Sequence, residues 1–225
     1  MDHYTQFIVS ARYLLSSSKI LSEIPTAVLK RFLGTDPEWP DQISYVVTAG
    51  PEAPKKTILI ENPWAFERAI AAGLAVTDAL VVTFGYGLTR GGDAFGRQLA
   101  RQIESGTEGL VQLRRYGNPP DLSTLLHHSP LEFWGDLDPE GLRIYLRLKK
   151  RLPTLELSSL YEPMKQRLLE GRGHSYNCFT AKAGQSPITP DELNCAPVID
   201  ELARLCKTRG IDQEALSVQE IVSHS

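Results

Sequence analysis

Two aspartates separated by one residue are the part of this sequence best suited to chemistry. Asp136 and Asp138 flank Leu137, directly after an apolar run that predicts a β-strand. Residues i and i+2 at a strand end point the same way, so we expect the two carboxylates to converge. Like charges at that distance raise each other's pKa unless a cation accompanies them. The cation that fits is Mg²⁺ or Mn²⁺, a hard ion that takes oxygen ligands and keeps exchangeable waters.

A third acid, Glu61, lies at the end of another short apolar run. Asn62 after it is a good N-cap, and Pro63 suits the first helical position because its missing N–H costs nothing there. Asp138 and Pro139 repeat this arrangement. An Asp-x-Asp sequence alone is common, and capping explains part of it. A capping role and a metal-binding role are nevertheless compatible in one side chain.

The elements that must position these acids alternate along the chain between strand and helix. Such alternation predicts an α/β fold with a mostly parallel sheet, here of four strands, and right-handed crossovers. Functional crevices in such sheets lie beyond the carboxyl ends of the strands, where all three acids fall. The predicted strands are 57–60, 79–84, 131–135 and 155–160, with helices after 62, over 93–103 and over 139–152, and a loose connection at 105–130.

Three segments are predicted from these patterns. Residues 1–55 form a short helical N-terminal extension, with two amphipathic helices split near Pro25 and a short strand at 43–47. Residues 56–170 form the α/β core. Residues 171–225 begin as a polar, glycine-rich loop and continue as a helical C-terminal extension packed on the core.

Composition limits the function classes. The chain has 225 residues, 42% hydrophobic and 23% charged, and a net charge of -3, so any affinity for phosphate must come from local patches. The odd number of cysteines, three, argues against a disulfide framework and favours a reducing cytoplasm. No signal peptide and no apolar run of ~20 residues are seen, so no membrane partner is expected.

A basic stripe follows the Asp-x-Asp turn. Arg143, Arg147 and Lys150 recur at helical spacing and could track a phosphate backbone beside a metal. A solvated helix face, with cations near the negative end of the helix dipole, explains the same pattern equally well. His174, in the polar loop, is a further candidate phosphate contact.

Three stretches together resemble a known family. They are Ile60 to Asn62, the glycine-rich Phe84 to Gly87, and the Trp-Gly-Asp-x-Asp-Pro-Glu-Gly run within Phe133 to Leu142. They look like the Toprim domain of the Wadjet JetD C-terminal family, which is related to the A subunit of type IIB topoisomerases. The resemblance covers about residues 57–165 and continues faintly to 211–214, where Ile-Asp-Gln-Glu is similar to the family's Leu-Glu-Gln-Glu.

The resemblance implies a Toprim fold and a metal-dependent nuclease subunit that cleaves DNA phosphodiesters within a plasmid-defence complex containing an SMC-type motor. It makes Glu61, Asp136 and Asp138 the catalytic and Mg²⁺- or Mn²⁺-binding acids, with Glu214 as a further ligand. The related topoisomerases use a tyrosine from a separate domain that we do not locate here, so a metal-activated water is the expected nucleophile. A homodimer with two sites would suit the cutting of both strands.

Two other functions stay open from the sequence. The acids could serve only as helix caps in a non-catalytic interaction module that docks onto an SMC-type or other DNA-processing complex. Alternatively, a phosphatase or phosphotransferase could use Asp136 as its nucleophile. Tyr86 and Tyr116 are candidate nucleophiles for DNA cleavage, but a packing or loop role is favoured for each.

Overall fold

A computed structural model describes residues 4–36, 44–85, 111–180, 182–189 and 197–225. The chain divides into two compact units, Met1–Ile43 and Ser44–Ser225. Within residues 4–36 the first unit contains three helices, α1 (Gln6–Tyr13), α2 (Ile20–Glu23) and α3 (Thr26–Leu33), where two were predicted. The extra break follows from Leu15 and Ser16, whose positive φ angles of 52° and 57° end the helical path. The predicted break near Pro25 is confirmed.

The second unit is built on a six-stranded sheet, so the mixed α/β class and the mostly parallel sheet are confirmed, whereas the predicted number of four strands is wrong. The strand order is β4-β1-β3-β2-β5-β6, and among the described strands of this sheet only the β1–β3 pairing is antiparallel. The strands are β1 (Ser44–Gly50), β2 (Thr57–Ile60), β3 (Ala79–Gly85), β4 (Val111–Gly117), β5 (Leu131–Trp134) and β6 (Leu155–Leu157). A separate two-stranded ribbon joins β7 (His174–Ser175) to β8 (Arg209–Gly210).

The strands β1 and β4 were not placed in the sheet from the sequence. β1 pairs with β3 and with β4, so it belongs to the second unit. β4 was predicted as part of a loose connection. A bulge explains why: Thr48 pairs with Arg114 and Ala49 with Tyr116, which leaves Arg115 as an extra residue that breaks the alternation of side chains.

Six helices of the second unit lie within the described residues. They are α4 (Pro63–Ala71), α5 (Leu122–Leu126), α6 (Pro139–Arg151), α7 (Tyr161–Leu169), α8 (Pro197–Leu205) and α9 (Val218–Ser223). The central strand β2 is buried at every position, and Phe133 and Trp134 of β5 are fully buried beside it. The residues that follow these two strands therefore start from a rigid, water-excluded base.

Several predictions fall on residues outside the described ranges: the helix at 93–103, the Tyr86 and Gly87 part of the glycine turn, and most of the capping sequence after Thr189. Cys178 and Cys206 are free thiols. None of the helices within the described ranges is long and apolar enough to cross a membrane.

Candidate metal centre

Neighbouring strands bring Glu61 to the Asp-x-Asp turn. β2 and β5 run parallel with Ile60 opposite Trp134, and the Glu61 N–H donates to the Trp134 carbonyl at 3.0 Å. The chain then turns outward at both strand ends. Glu61 Oε2 accepts a hydrogen bond from the backbone N–H of Asp136 at 2.9 Å. Two acids 75 residues apart in sequence thus meet at the carboxyl edge of the sheet.

Both predicted helix caps are confirmed. Asn62 Oδ1 accepts from Ala65 N at 2.9 Å at the start of α4, and Asp138 Oδ1 accepts from Gly141 N at 2.8 Å at the start of α6. Each helix has proline at its first turn. The caps fix the two turns rigidly, so the acids that lie beside them have little freedom to move apart.

A lysine holds the aspartates together. The Lys182 ammonium lies 2.9 Å from Asp136 Oδ2, 2.8 Å from Asp138 Oδ2 and 2.5 Å from Asp212 Oδ1. Its side chain is only 8% exposed. We call Glu61, Asp136, Asp138 and Asp212 the acidic cluster. Its members come from three chain segments that are far apart in sequence.

The fourth carboxylate of the cluster is Asp212 rather than Glu214. An antiparallel bridge between Leu137 and Ile211, with N···O distances of 2.9 and 3.2 Å, brings this segment to the Asp-x-Asp turn. Asp212 follows the bridge directly and reaches Lys182. Glu214 is exposed on the 3₁₀ turn Gln213–Ala215.

Gln213 ties the two strand–helix junctions together. Its backbone N–H donates to Asp136 Oδ1 at 2.9 Å, and its Nε2 donates to the Trp134 carbonyl at 2.9 Å. Its Oε1 accepts from Asn62 Nδ2 at 2.9 Å. The residue is fully buried. One side chain therefore links the cap of α4 to the end of β5, while its backbone orients Asp136.

Burial and mutual repulsion raise the pKa values of two acids. Burial, followed by the charges of Asp136 and Asp138, raises the pKa of Glu61 well above its usual range. Burial, offset by Lys182 but reinforced by Asp138 and Asp212, raises the pKa of Asp136 to about 7. Burial acts to raise the pKa of Asp212, but Lys182 and His174 outweigh burial and lower that pKa. The charge of Lys182 therefore offsets only part of the burial and mutual repulsion that raise the pKa values of Glu61 and Asp136.

The donor set fits a hard divalent cation. Four carboxylates offer only oxygen ligands, as Mg²⁺ and Mn²⁺ prefer, and a second positive charge would lower the raised pKa values of Glu61 and Asp136. Among the described residues, however, no group of three or more acidic, histidine or cysteine side chains is already arranged to hold a metal ion. The ammonium of Lys182 lies where three of the carboxylates meet, so an ion bound by those oxygens would take its place.

Two glycines allow the close packing of the turn. A Cβ at Gly135 would lie 2.5 Å from Glu61 Oε2, and one at Gly141 would lie 2.2 Å from the Asp136 carbonyl oxygen. Neither contact is sterically possible. The Gly135 N–H donates to the hydroxyl of Tyr161 at 2.9 Å, so this glycine is held from behind as well.

The predicted phosphate contacts lie in different surroundings. Arg143 Nη2 donates to the Ser186 carbonyl at 2.9 Å, on the segment that carries Lys182. His174 Nε2 lies 3.0 Å from Asp212 Oδ1, at the edge of the acidic cluster. Lys150 is exposed on α6, and Arg147 is half-buried. A role in binding phosphate stays a prediction for all four.

Sequence reasoning missed Lys182 and Asp212. A single lysine in a polar, glycine-rich loop carries no periodic or motif signal. Asp212 lies in the short Ile-Asp-Gln-Glu sequence that resembles the family, but the resemblance selected Glu214, two positions further on, as the ligand. The bridge from Leu137 to Ile211, which selects Asp212, is a tertiary contact between residues more than 70 positions apart.

The fold and the cluster define a mixed α/β protein with a candidate cation site at the carboxyl edge of a mostly parallel sheet. Residues 109–223, just over half of the chain, match the family described as Wadjet protein JetD, C-terminal, and the chain belongs to that family. Membership implies involvement in a Wadjet-type defence complex. Asp136, Asp138, Lys182 and Asp212 lie within the matched stretch, and Glu61 precedes it. No curated protein gives a match to the chain.

Proposed function

We propose that this chain is a Toprim-type, Mg²⁺- or Mn²⁺-dependent DNA-cleaving subunit of a Wadjet-like plasmid-defence complex. The observation that carries the proposal is the convergence of three aspartates on one cationic point at the edge of the sheet, with the Glu61 carboxylate held against the backbone of Asp136 beside them. Family membership supports the biological setting. The likeness of the Glu-Asn-Pro and Trp-Gly-Asp-x-Asp sequences to a Toprim domain supports the class of chemistry.

The acidic cluster would hold the metal through its aspartate oxygens. Asp136 and Asp138 each use Oδ1 to accept a backbone N–H and present Oδ2 to the cation position. A bound Mg²⁺ or Mn²⁺ supplies a polarised phosphoryl oxygen and a water of lowered pKa. Glu61 is oriented through Oε2, which leaves Oε1 to bind the ion or to accept a proton, and its raised pKa suits proton transfer.

The partners in this proposal are DNA, an SMC-type motor and a second copy of the chain. A two-fold axis would give two equivalent sites, one for each strand of a duplex. Arg147 and Lys150, on the helix that follows Asp138, would contact a phosphate backbone that runs away from the cluster. Their contribution would be electrostatic and would weaken with added salt.

The test compares cleavage of supercoiled plasmid by wild-type protein and by the double variant Glu61→Gln, Asp136→Asn, with Mn²⁺ present. We expect the double variant to lose at least about a hundredfold in nicking rate, because both substitutions remove charge that binds the ion while preserving shape. Circular dichroism and thermal melting verify that the variant is folded.

Glu214→Gln is the matched control. It removes an exposed carboxylate from the same segment as Asp212 but outside the cluster, so nicking should stay within about twofold of wild type. Full cleavage by the folded double variant would contradict the proposal. Loss of cleavage in Glu214→Gln would show that the exposed acid, and not Asp212, belongs to the active centre.

A second function is favoured by one observation, the pairing of the Lys182 ammonium with three carboxylates. In that case the cluster would be a structural ion-pair network, and the chain would be a non-catalytic module that docks onto an SMC-type or other DNA-processing complex. Calorimetric titration with Mn²⁺ separates the two functions. Binding together with a rise in melting temperature supports the nuclease, and the lack of both supports the docking module.

A further inference from the structure

The ammonium of Lys182 is fully committed to carboxylates. An ammonium has three N–H donors, and Lys182 has one carboxylate oxygen within 2.9 Å for each: Asp136 Oδ2, Asp138 Oδ2 and Asp212 Oδ1. Moving the ammonium out would leave three clustered carboxylates without a counter-charge, so leaving the cluster would require another cation to replace it.

The oxygens that Lys182 occupies are those that a metal would need. Asp136 Oδ1 is held by the Gln213 N–H, and Asp138 Oδ1 is held by the Gly141 N–H as a helix cap. Each aspartate therefore has one oxygen bound to the backbone and one turned to the cation position. Mg²⁺ binds oxygen ligands at ~2.0–2.1 Å, so these oxygens would have to surround the ion closely. The ion would then occupy the position of the ammonium, and the two cations cannot be bound there together.

The segment that carries Lys182 is attached to the cluster by a second contact that is only partly satisfied. We call residues 182–189 the strap. Gln185 Nε2 donates to Asp138 Oδ2 at 3.0 Å, whereas Gln185 Oε1 is buried with no hydrogen-bond partner among the described residues. A buried polar atom without a partner destabilises the closed arrangement and favours its opening.

We infer that Lys182 is a tethered counter-ion that competes with the divalent cation for the same aspartate oxygens, so that metal binding withdraws the lysine and moves the strap. This inference rests on the proposed metal site. The affinity for the metal then depends on how firmly the strap is held as well as on the acids. When no metal is bound, Lys182 keeps the buried aspartates paired with a positive charge.

The test is calorimetric titration of the metal-free full chain with Mn²⁺, for wild type and Lys182→Met. Methionine keeps the length and the apolar part of the side chain but removes the competing charge. We expect the dissociation constant for Mn²⁺ to be about tenfold lower, or lower still, in Lys182→Met than in wild type. In the wild type the ammonium occupies the site, and the apparent affinity is reduced in proportion to the small fraction of molecules whose site is free. Electron paramagnetic resonance of Mn²⁺ verifies that the number of bound ions is unchanged.

Lys56→Met is the matched control. Lys56 forms a partly buried pair with Glu132 at 3.2 Å and precedes β2, at the opposite end of the strand from Glu61. Its removal should leave Mn²⁺ affinity unchanged. If wild type binds Mn²⁺ and Lys182→Met binds it equally well or more weakly, the inference is overturned, but the proposed metal site is not. Absence of binding in both proteins overturns the metal site and the inference together.

A measurement on the wild type makes the test independent of the variant's folding. The amide of Lys182 donates to the Asn177 carbonyl at 3.2 Å, and the amide of Gln185 donates to the Lys182 carbonyl at 3.2 Å. If the strap moves, saturation with Mn²⁺ should speed hydrogen exchange at these two amides several-fold. Unchanged or slower exchange at both amides, in protein shown to be metal-bound, would contradict the withdrawal of Lys182.

Discussion

The two strand–helix junctions of the acidic cluster solve the same problem in different ways. Each has a buried strand, a side-chain cap and a proline at the start of the helix. At the first junction the acid and the cap are separate residues, Glu61 and Asn62. At the second junction Asp138 is both, because its Oδ1 caps α6 and its Oδ2 faces Lys182.

At the first junction, therefore, one residue stabilises the helix and another carries the charge, whereas at the second junction Asp138 has both roles. Asp138, 2% exposed and paired with Lys182, should matter to folding and to cation binding at once. Glu61 is also buried, but burial and the neighbouring aspartates raise its pKa. It should therefore contribute to cation binding with little contribution to the stability of the metal-free fold.

The largest effect should come from Asp138→Ala. It removes a helix cap, worth about 1 kcal/mol, and breaks part of a buried ion pair, so we expect unfolding free energy to fall by about 3–4 kcal/mol. Urea denaturation in the presence of a chelator measures this loss. Asn62→Ala should lose about 1–2 kcal/mol, because it removes a cap and the hydrogen bond to Gln213.

Asp138→Asn is the control that divides the two contributions of Asp138. The asparagine oxygen can still cap α6, so only the charge next to Lys182 is lost. Its stability should lie between wild type and Asp138→Ala. Equal losses for Asp138→Ala and Asn62→Ala would show that the ion pair adds nothing and that the two junctions are energetically alike.

The next effect is a dependence of stability on pH in the metal-free protein. Asp136 has a pKa of about 7 in the fold and an ordinary value of 3.8, so the native state binds more protons between these values. Its contribution to stability is fully present below pH 3.8 and is lost as the pH rises to about 7. At about 1.4 kcal/mol for each pKa unit, the change from 3.8 to about 7 corresponds to a loss of a few kcal/mol, at most about 4, with the charge of Lys182 already included.

Denaturation at a series of pH values, with and without Asp136→Asn, checks this dependence. The variant should show a flatter profile over the same range. Asp212 has a lowered pKa and acts in the opposite direction, but only below its ordinary value of 3.8. A wild-type protein whose stability rises with pH over this window would contradict the assignment of Asp136 as the raised group.

A smaller effect is expected for the link between the junctions. The hydrogen bond from Asn62 to Gln213 should appear as a coupling energy of about 1 kcal/mol in a double-mutant cycle of Asn62→Ala and Gln213→Ala. Additive losses, with a coupling near zero, would mean that the two junctions fold independently despite the shared glutamine.

The smallest effect is expected for Glu61→Gln in the metal-free protein. Burial and the neighbouring aspartates disfavour the charged form of Glu61 and raise its pKa, and glutamine is uncharged, has the same shape and can still accept from Asp136 N. Stability at pH ~7 should therefore stay within about 0.5 kcal/mol of wild type. Thermal melting gives this value. A loss comparable to that of Asp138→Ala would remove the distinction between the junctions.

Local chemistry predicted much of this arrangement from the sequence. The two caps and the prolines follow from residue types within a few positions of each other, and the alternation of strands and helices predicted the parallel sheet. The pairing of β2 with β5 in that sheet then brings Glu61 to Asp136. The alternation of strands and helices is enough to predict the α/β class, even though the number of strands was not predicted correctly.

Tertiary contacts determined what the sequence did not show. β4 is an exposed edge strand with a bulge at Arg115, so its residues lack the alternation that identifies strands. Lys182 and Asp212 reach the cluster through a loop and through the bridge at Ile211. Neither contact leaves a periodic pattern, and only the folded chain reveals that the acids already share a cation.

The absence of a side chain at residue 135 has a consequence for recognising distant relatives. Glu61 Oε2 and the Phe133 ring both fill the space that a Cβ would take, so the identity of residue 135 reports on residues 61 and 133 together. A descendant could accept alanine at 135 only if it had lost the glutamate and also carried a smaller side chain at 133. Joint inspection of these three positions should therefore separate relatives that retain the reactive centre from those that preserve only its scaffold.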